Sequence, residues 1–213
     1  DSLSGTQNVS ISILLPDGKL IDTYTTLASG TSFNGVWQST FSLSKNTKAG
    51  IGKINSISVI DRASNYKSLQ YDDLVSLGFD AYFDIINNNP YDSLPPQLTS
   101  LSILPPTIDV TNGSVNAVVT SGLSDNLSGV NAIIISIVLP NNKQIYINSF
   151  LKSGSSINGI WESTFSLTKY TSSGIGKIYS ISLSDSTGNY KTLNYNDLVT
   201  LGFDPDFEII NNN

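Results

Sequence analysis

The sequence predicts an all-β protein of tandem two-sheet Greek-key sandwiches, and three observations carry that prediction. Most of the chain is written twice: residues 1–89 align with 125–213 at a constant offset of 124 without a gap, with about 52 of 89 positions identical. Short runs of alternating apolar and polar residues, separated by Gly, Asn and Pro, fill both copies; this period-2 pattern marks half-buried strands. Only one short helix signal occurs in each copy.

Taken in order, VSISILLP (9–16) places Val9, Ile11, Ile13 and Leu15 on one face and Ser10 and Ser12 on the other. Its second copy repeats the inward set as Ile133, Ile135, Ile137 and Leu139. Further strands are expected at 19–27, 36–44, 53–60, 65–70 and 82–86, each returning 124 residues later. Turns fall at Pro16-Asp17-Gly18, Ser29-Gly30, Asn34-Gly35 and Ala49-Gly50, where Gly and Asn accept positive φ cheaply. Asp72–Gly78 and Asn196–Gly202 read as single helical turns, capped by Asp72 or Asn196 and ended by a left-handed glycine. Phe41, Phe165, Ile13, Ile137, Ile57, Ile181, Trp37 and Trp161 are expected in the core.

Residues 90–124 occur once. Pro90 and Pro95-Pro96 suggest a stiff linker at 90–96, and 97–110 and 114–121 read as two more strands. These bring the second copy to seven or eight strands in about 120 residues, the count of a two-sheet sandwich. The expected domains are therefore 1–89, a first repeat lacking its opening strands, and 90–213, a complete repeat. With no Met anywhere, the chain reads as a piece of a longer repeat array.

Composition bounds the chemistry. The 213 residues include no His and no Cys, which excludes imidazole acid–base catalysis, thiol catalysis, disulfides and His- or Cys-ligated metals. Net charge is −6 with a single Arg, Arg62. No basic stripe is present to displace counterions from phosphate, so nucleic acid is not an expected partner. No apolar segment reaches the length of a membrane span, and no membrane insertion is expected.

PPQLTSLSILPPTIDVTNGSVNAVVTSGLSDNLSGV, followed by GIWESTF, GIGKIYSISLSDSTGNY and LVTLGFD, resembles the immunoglobulin-like tandem repeats of large bacterial surface proteins and adhesins. The Asp-x-x-Gly-Asn turn at Asp185–Asn189 is part of that resemblance; in the first copy Ser64 replaces the glycine of Asp61–Asn65, so a less regular turn is expected there. The resemblance implies an extracellular or cell-surface, immunoglobulin-like β-sandwich that serves as a spacer, filament, surface-layer or adhesive element, often stiffened by calcium. Its partners would be neighbouring repeats, another surface protein or a polysaccharide.

Oxygen-rich calcium binding is the best chemical reading of the polar residues. In an immunoglobulin-like sandwich, the loop after the second strand and the last hairpin share a pole. These supply Asp125, Asp185 and Asn189, while the linker supplies Asp92 and the preceding repeat ends in Asn87–Asn89. Asp1, Asp61 and Asn65 are the corresponding groups of the first copy. Hard oxygens are what calcium takes; the alternative is that these residues only make turns. Asp204, Asp206 and Glu208, or Asp80 and Asp84, could form a carboxylate pair, but a solvated strand face is the expectation and no enzyme is inferred. Trp37 and Trp161 could stack on sugars, yet each alternates with Ser, Phe and Leu on one strand face, which favours the core. Tyr66, Tyr71, Tyr190 and Tyr195 flank the last hairpin without forming a platform. The sequons at Asn8, Asn112 and Asn126 are expected by chance in so Asn- and Ser-rich a chain. The expected function is a non-catalytic structural or adhesive repeat, with a pair of carbohydrate-binding modules as the alternative.

Overall fold

The computed structural model describes residues 3–213, and the chain divides into two compact units, Asp1–Tyr91 and Asp92–Asn213. Unit 1 runs β1 (Thr6–Leu14), β2 (Leu20–Tyr24), β3 (Thr26–Gly30), β4 (Gly35–Gln38), β5 (Gly50–Asp61), β6 (Tyr66–Gln70), α1 (Tyr71–Ser76) and β7 (Tyr82–Ile85). Unit 2 opens with β8 (Gln97–Leu104), β9 (Thr107–Asp109) and β10 (Val115–Ser124). It continues with β11 (Val130–Val138), β12 (Gln144–Asn148), β13 (Phe150–Gly154), β14 (Asn158–Leu167), β15 (Gly174–Asp185), β16 (Tyr190–Asn194), α2 (Tyr195–Thr200) and β17 (Asp206–Ile210).

Unit 2 is a β-sandwich. One sheet has the order β13-β14-β10-β8; the other has β12-β11-β15-β17-β9, with β16 also on β15. One edge of β15 pairs with β11, while the other serves β17 over Gly174–Lys177 and β16 over Ser180–Ser184. The inward positions read from alternation close the core: Ile133, Ile135, Ile137 and Leu139 are buried with Ile178, Ile181, Leu183, Trp161, Phe165 and Leu167. The rings of Phe165 and Phe207 meet at 5.6 Å and 57°, a tilted pairing that aromatic quadrupoles favour.

Unit 1 repeats half of this. Its main sheet has the order β2-β1-β5-β6 with β7 on β5, and β3 and β4 form a separate two-stranded sheet. Ile13, Leu15 and Ile85 make a small buried cluster, joined by the partly buried Ile11, Ile21 and Phe83.

Three strand expectations change. The stretch 19–27 is two strands, β2 pairing with β1 and β3 with β4. They part at the buried Thr25, whose N–H and hydroxyl both donate to the Val9 carbonyl at 3.0 Å. The stretch 97–110 is also two strands: Pro105 and Pro106 supply no N–H to a ladder, β8 joins β10, and β9 crosses to pair in parallel with β17. The expected strand 36–44 stops at Gln38, whereas β14 continues to Leu167 because it pairs residue for residue with β10. No strand among the described residues of unit 1 takes the place of β10. Consequently Phe41 is 39% exposed against 4% for Phe165, and Trp37 and Ile57 are only half-buried. The other five residues of the expected core are buried.

Local chemistry departs from expectation at two further points. The helix caps are Gln70 and Asn194, not Asp72 and Asn196: Asn194 Oδ1 accepts from the N–H groups of Asn196 and Asp197 at 3.0 and 3.2 Å. Asp197 returns a carboxylate to Asn194 N at 2.9 Å, and Asp73 does the same for Gln70 N at 2.9 Å. This reciprocal arrangement is a capping box. The turn at Asp61–Asn65 is regular despite lacking glycine. Ser64 takes φ 65° where Gly188 takes 79°, a strain of roughly 1 kcal/mol for a residue with a Cβ, and Asp61 holds the turn as Asp185 does.

Candidate metal centre

Asp92, Asp125 and Asp185 meet in unit 2, each buried, with one carboxylate oxygen apiece lying within 4.8 Å of the others. They come from three separate places. Asp92 is the first residue of the unit, Asp125 opens the five-residue loop between β10 and β11, and Asp185 ends β15 at the hairpin to β16.

The local fold explains why each is held. Asp125 Oδ1 accepts from Leu127 N at 3.0 Å and Gly129 N at 2.7 Å, winding the loop around its own side chain. Gly129 closes that loop at φ 87°, and a Cβ there would stand 2.5 Å from Ser156 Oγ. Asp185 Oδ1 accepts from Thr187 N and Asn189 N, both at 2.8 Å. Asp92 Oδ1 accepts from Leu94 N at 3.2 Å and Oδ2 from Ser128 N at 2.8 Å, so the start of the unit is tied to the Asp125 loop.

Asn189 stands beside the three carboxylates. Its amide nitrogen donates to Asp185 Oδ2 at 2.6 Å and lies 3.1 Å from the Asp92 carbonyl and 3.0 Å from Thr187 Oγ1. It therefore positions Asp185 and the Asp92 main chain.

Two features set this cluster apart from ordinary turn aspartates. Asp125 Oδ2 is buried and has no hydrogen-bond partner, although Asp125 is only 6% exposed. Neither ion pair found among the described residues, Lys19–Asp17 and Lys152–Glu162, involves the cluster. Carboxylates within 4.8 Å of one another repel by at least about 3.5 kcal/mol per ionised pair at an effective dielectric near 20. A divalent cation reverses that sign. Calcium binds oxygens at about 2.3–2.6 Å, so two oxygens sharing one ion lie within roughly 5 Å of each other, as these do.

Asp61 and Asn65 of unit 1 form the matching turn. Asn65 donates from its side chain to Asp61 Oδ2 at 2.7 Å and from its backbone to Oδ1 at 2.8 Å, and Ser4 Oγ adds a bond at 2.8 Å. The Asn65 side chain holds the Asp61 carboxyl below its ordinary value, with the Asn65, Ser4 and Ala63 bonds adding to the effect and desolvation opposing it. Among the described residues, no other acidic group joins it to make a three-ligand cluster. Asp1 lies outside the described residues. Asn87 is engaged within unit 1, its amide donating to the carbonyls of Lys45 and Thr47 at 2.8 and 2.6 Å.

The remaining candidates are dispersed. Asp206 Oδ2 accepts from Tyr195 Oη at 3.1 Å, Glu208 Oε2 from Thr107 Oγ1 at 3.2 Å, and Asp204 Oδ1 from Asp206 N at 3.2 Å. The hydrogen bond to Asp206, followed by burial, raises the Tyr195 hydroxyl above its ordinary pKa. Trp161 is buried at 7% exposure. Tyr66 and Tyr190 bond Ser58 and Thr192 along their strands. Lys53 and Lys177 sit over the rings of Tyr71 and Tyr195.

Sequence reasoning missed Ser128, Thr187 and Gly129 as supports of the cluster. The Asp-x-x-x-Gly spacing of 125–129 was the available signal for the last of these.

A family model described as a domain of unknown function (DUF7743) matches the chain twice, over residues 1–91 and 90–213. No curated protein matches it.

Proposed function

The chain belongs to that family through both of its repeats, and we propose that it is a non-catalytic structural or adhesive module of a long extracellular protein whose complete repeat is braced by calcium. The observation that carries this reading is the buried Asp92–Asp125–Asp185 cluster with the unpartnered Asp125 Oδ2. An ion there would tie the first residue of unit 2 to a loop and a hairpin of the same sandwich, replacing repulsion with cross-linking. Extracellular calcium modules typically bind at about 0.1–1 mM, so occupancy would distinguish the outside of a cell from its interior.

Several features support a mechanical or multivalent role. The fold is duplicated, the sequence carries neither His nor Cys, and the acidic groups outside the cluster are engaged singly. An immunoglobulin-like topology is part of this proposal, resting on the two-sheet architecture and the repeat motifs. The carbohydrate-binding alternative loses support where Trp161 is buried. No helix among the described residues is long and apolar enough to cross a membrane.

The test is calorimetric titration of the intact chain with calcium. One site of about 0.1–1 mM is expected, absent in Asp125→Asn. No binding up to 10 mM would overturn the proposal.

A further inference from the structure

We infer that the open face of unit 1 is a strand acceptor whose partner is a β-hairpin with the chemistry of β8–β10. Unit 2 shows what covers the equivalent face. There, β14 pairs with β10 from Asn158 opposite Ser124 to Leu167 opposite Val115, and β10 in turn pairs with β8. Beneath that hairpin, the inward residues Gly159, Trp161, Ser163, Phe165 and Leu167 are all buried.

In unit 1 the same five inward positions carry the same five residues: Gly35, Trp37, Ser39, Phe41 and Leu43. The outward positions between them are freer, with Val36 for Ile160 and Gln38 for Glu162. Yet none of the five is buried, and Phe41 and Leu43 are 39% and 37% exposed. No strand pairing involves 39–44, so this segment presents backbone donors and acceptors beside apolar side chains. That combination is what strand addition uses, with main-chain bonds giving affinity and alternate side chains giving specificity.

The face is already shaped for its partner. Phe41 meets Phe83 at 5.8 Å and 52°, matching the 5.6 Å and 57° of Phe165 and Phe207. The β3–β4 hairpin keeps the turn bond of its counterpart, Thr31 N and Ser155 N each donating to an Asn carbonyl at 2.9 Å. A donor with the inward residues of β10, Ala117, Val119, Ser121 and Leu123, all 0% exposed in unit 2, meets complementary surface here. The register carries over: the Val115 position lies opposite Leu43 and the Ser124 position opposite Asn34.

Hydrogen–deuterium exchange on the full chain, with the synthetic hairpin Gln97–Ser124 added in excess, tests this. Amides 36–44 should slow by roughly tenfold or more, while those of 158–167, already paired, should not change. A Val119→Asp hairpin should give no protection, and Phe41→Ala in the chain should weaken the effect of the native hairpin. The inference is overturned if the native hairpin gives no slowing or if the Val119→Asp hairpin slows exchange equally. Protection of 39–43 that rises with chain concentration in the absence of peptide would make a second copy the occupant and also overturn it.

Discussion

Asp125→Asn separates a metal ligand from a turn residue. The substitution keeps Oδ1, which accepts from Leu127 N and Gly129 N, and changes only the buried, unpartnered Oδ2. In chelator, the variant removes one of three converging charges and offers an N–H to the neighbouring carboxylates. A charge-assisted hydrogen bond is worth about 1.5–3 kcal/mol, so the variant should be more stable than the natural chain. In 10 mM calcium the order should invert. Binding at about 0.1–1 mM adds roughly 1.4–2.7 kcal/mol to the natural chain, and none of this reaches a variant lacking the site. With an unfolding entropy of about 2.1 cal/mol/K per residue over about 120 residues, that increment raises the melting temperature of unit 2 by roughly 5–10 °C. Differential scanning calorimetry of both chains, each with calcium and with chelator, provides the four measurements. Asp125→Asn that is less stable than the natural chain in both buffers, by the same amount, refutes the reasoning.

Phe165→Ala should cost about 3–5 kcal/mol in denaturant unfolding, and Phe41→Ala less than about 1.5 kcal/mol, because only the first ring is fully covered; equal losses would mean that unit 1 is closed. Gly129→Ala forces a Cβ towards Ser156 and a side chain into φ 87°, costing about 1–3 kcal/mol. It should also weaken calcium binding, which titration would read directly. Asp61 has a folded pKa below its unfolded value near 3.8. Its contribution is therefore complete above that value and is lost as pH falls through the folded pKa. The unfolding of unit 1 in Asp61→Asn should accordingly respond less to acid than in the natural chain.

The fold class and the inward faces were legible because both depend on alternation, which is local. Ile133, Ile135, Ile137 and Leu139 share a side by virtue of the pleat alone, and the repeat carried the assignment from one copy to the other. The three aspartates were legible from a rule about which loops share a pole of a sandwich. Tertiary structure decided the rest. Alternation could not show that 19–27 and 97–110 each divide between two sheets, because a strand that crosses between facing sheets keeps its apolar side towards the same core. It could not show that Phe41 and Phe165 differ in burial, since their neighbours in sequence are nearly the same and the difference lies in whether β10 pairs with the segment. Nor could spacing reveal that Asp125 Oδ2 is left without a partner. That depends on where Asp92 and Asp185, distant in sequence, come to rest, and burial among like charges is a property only the assembled sandwich possesses.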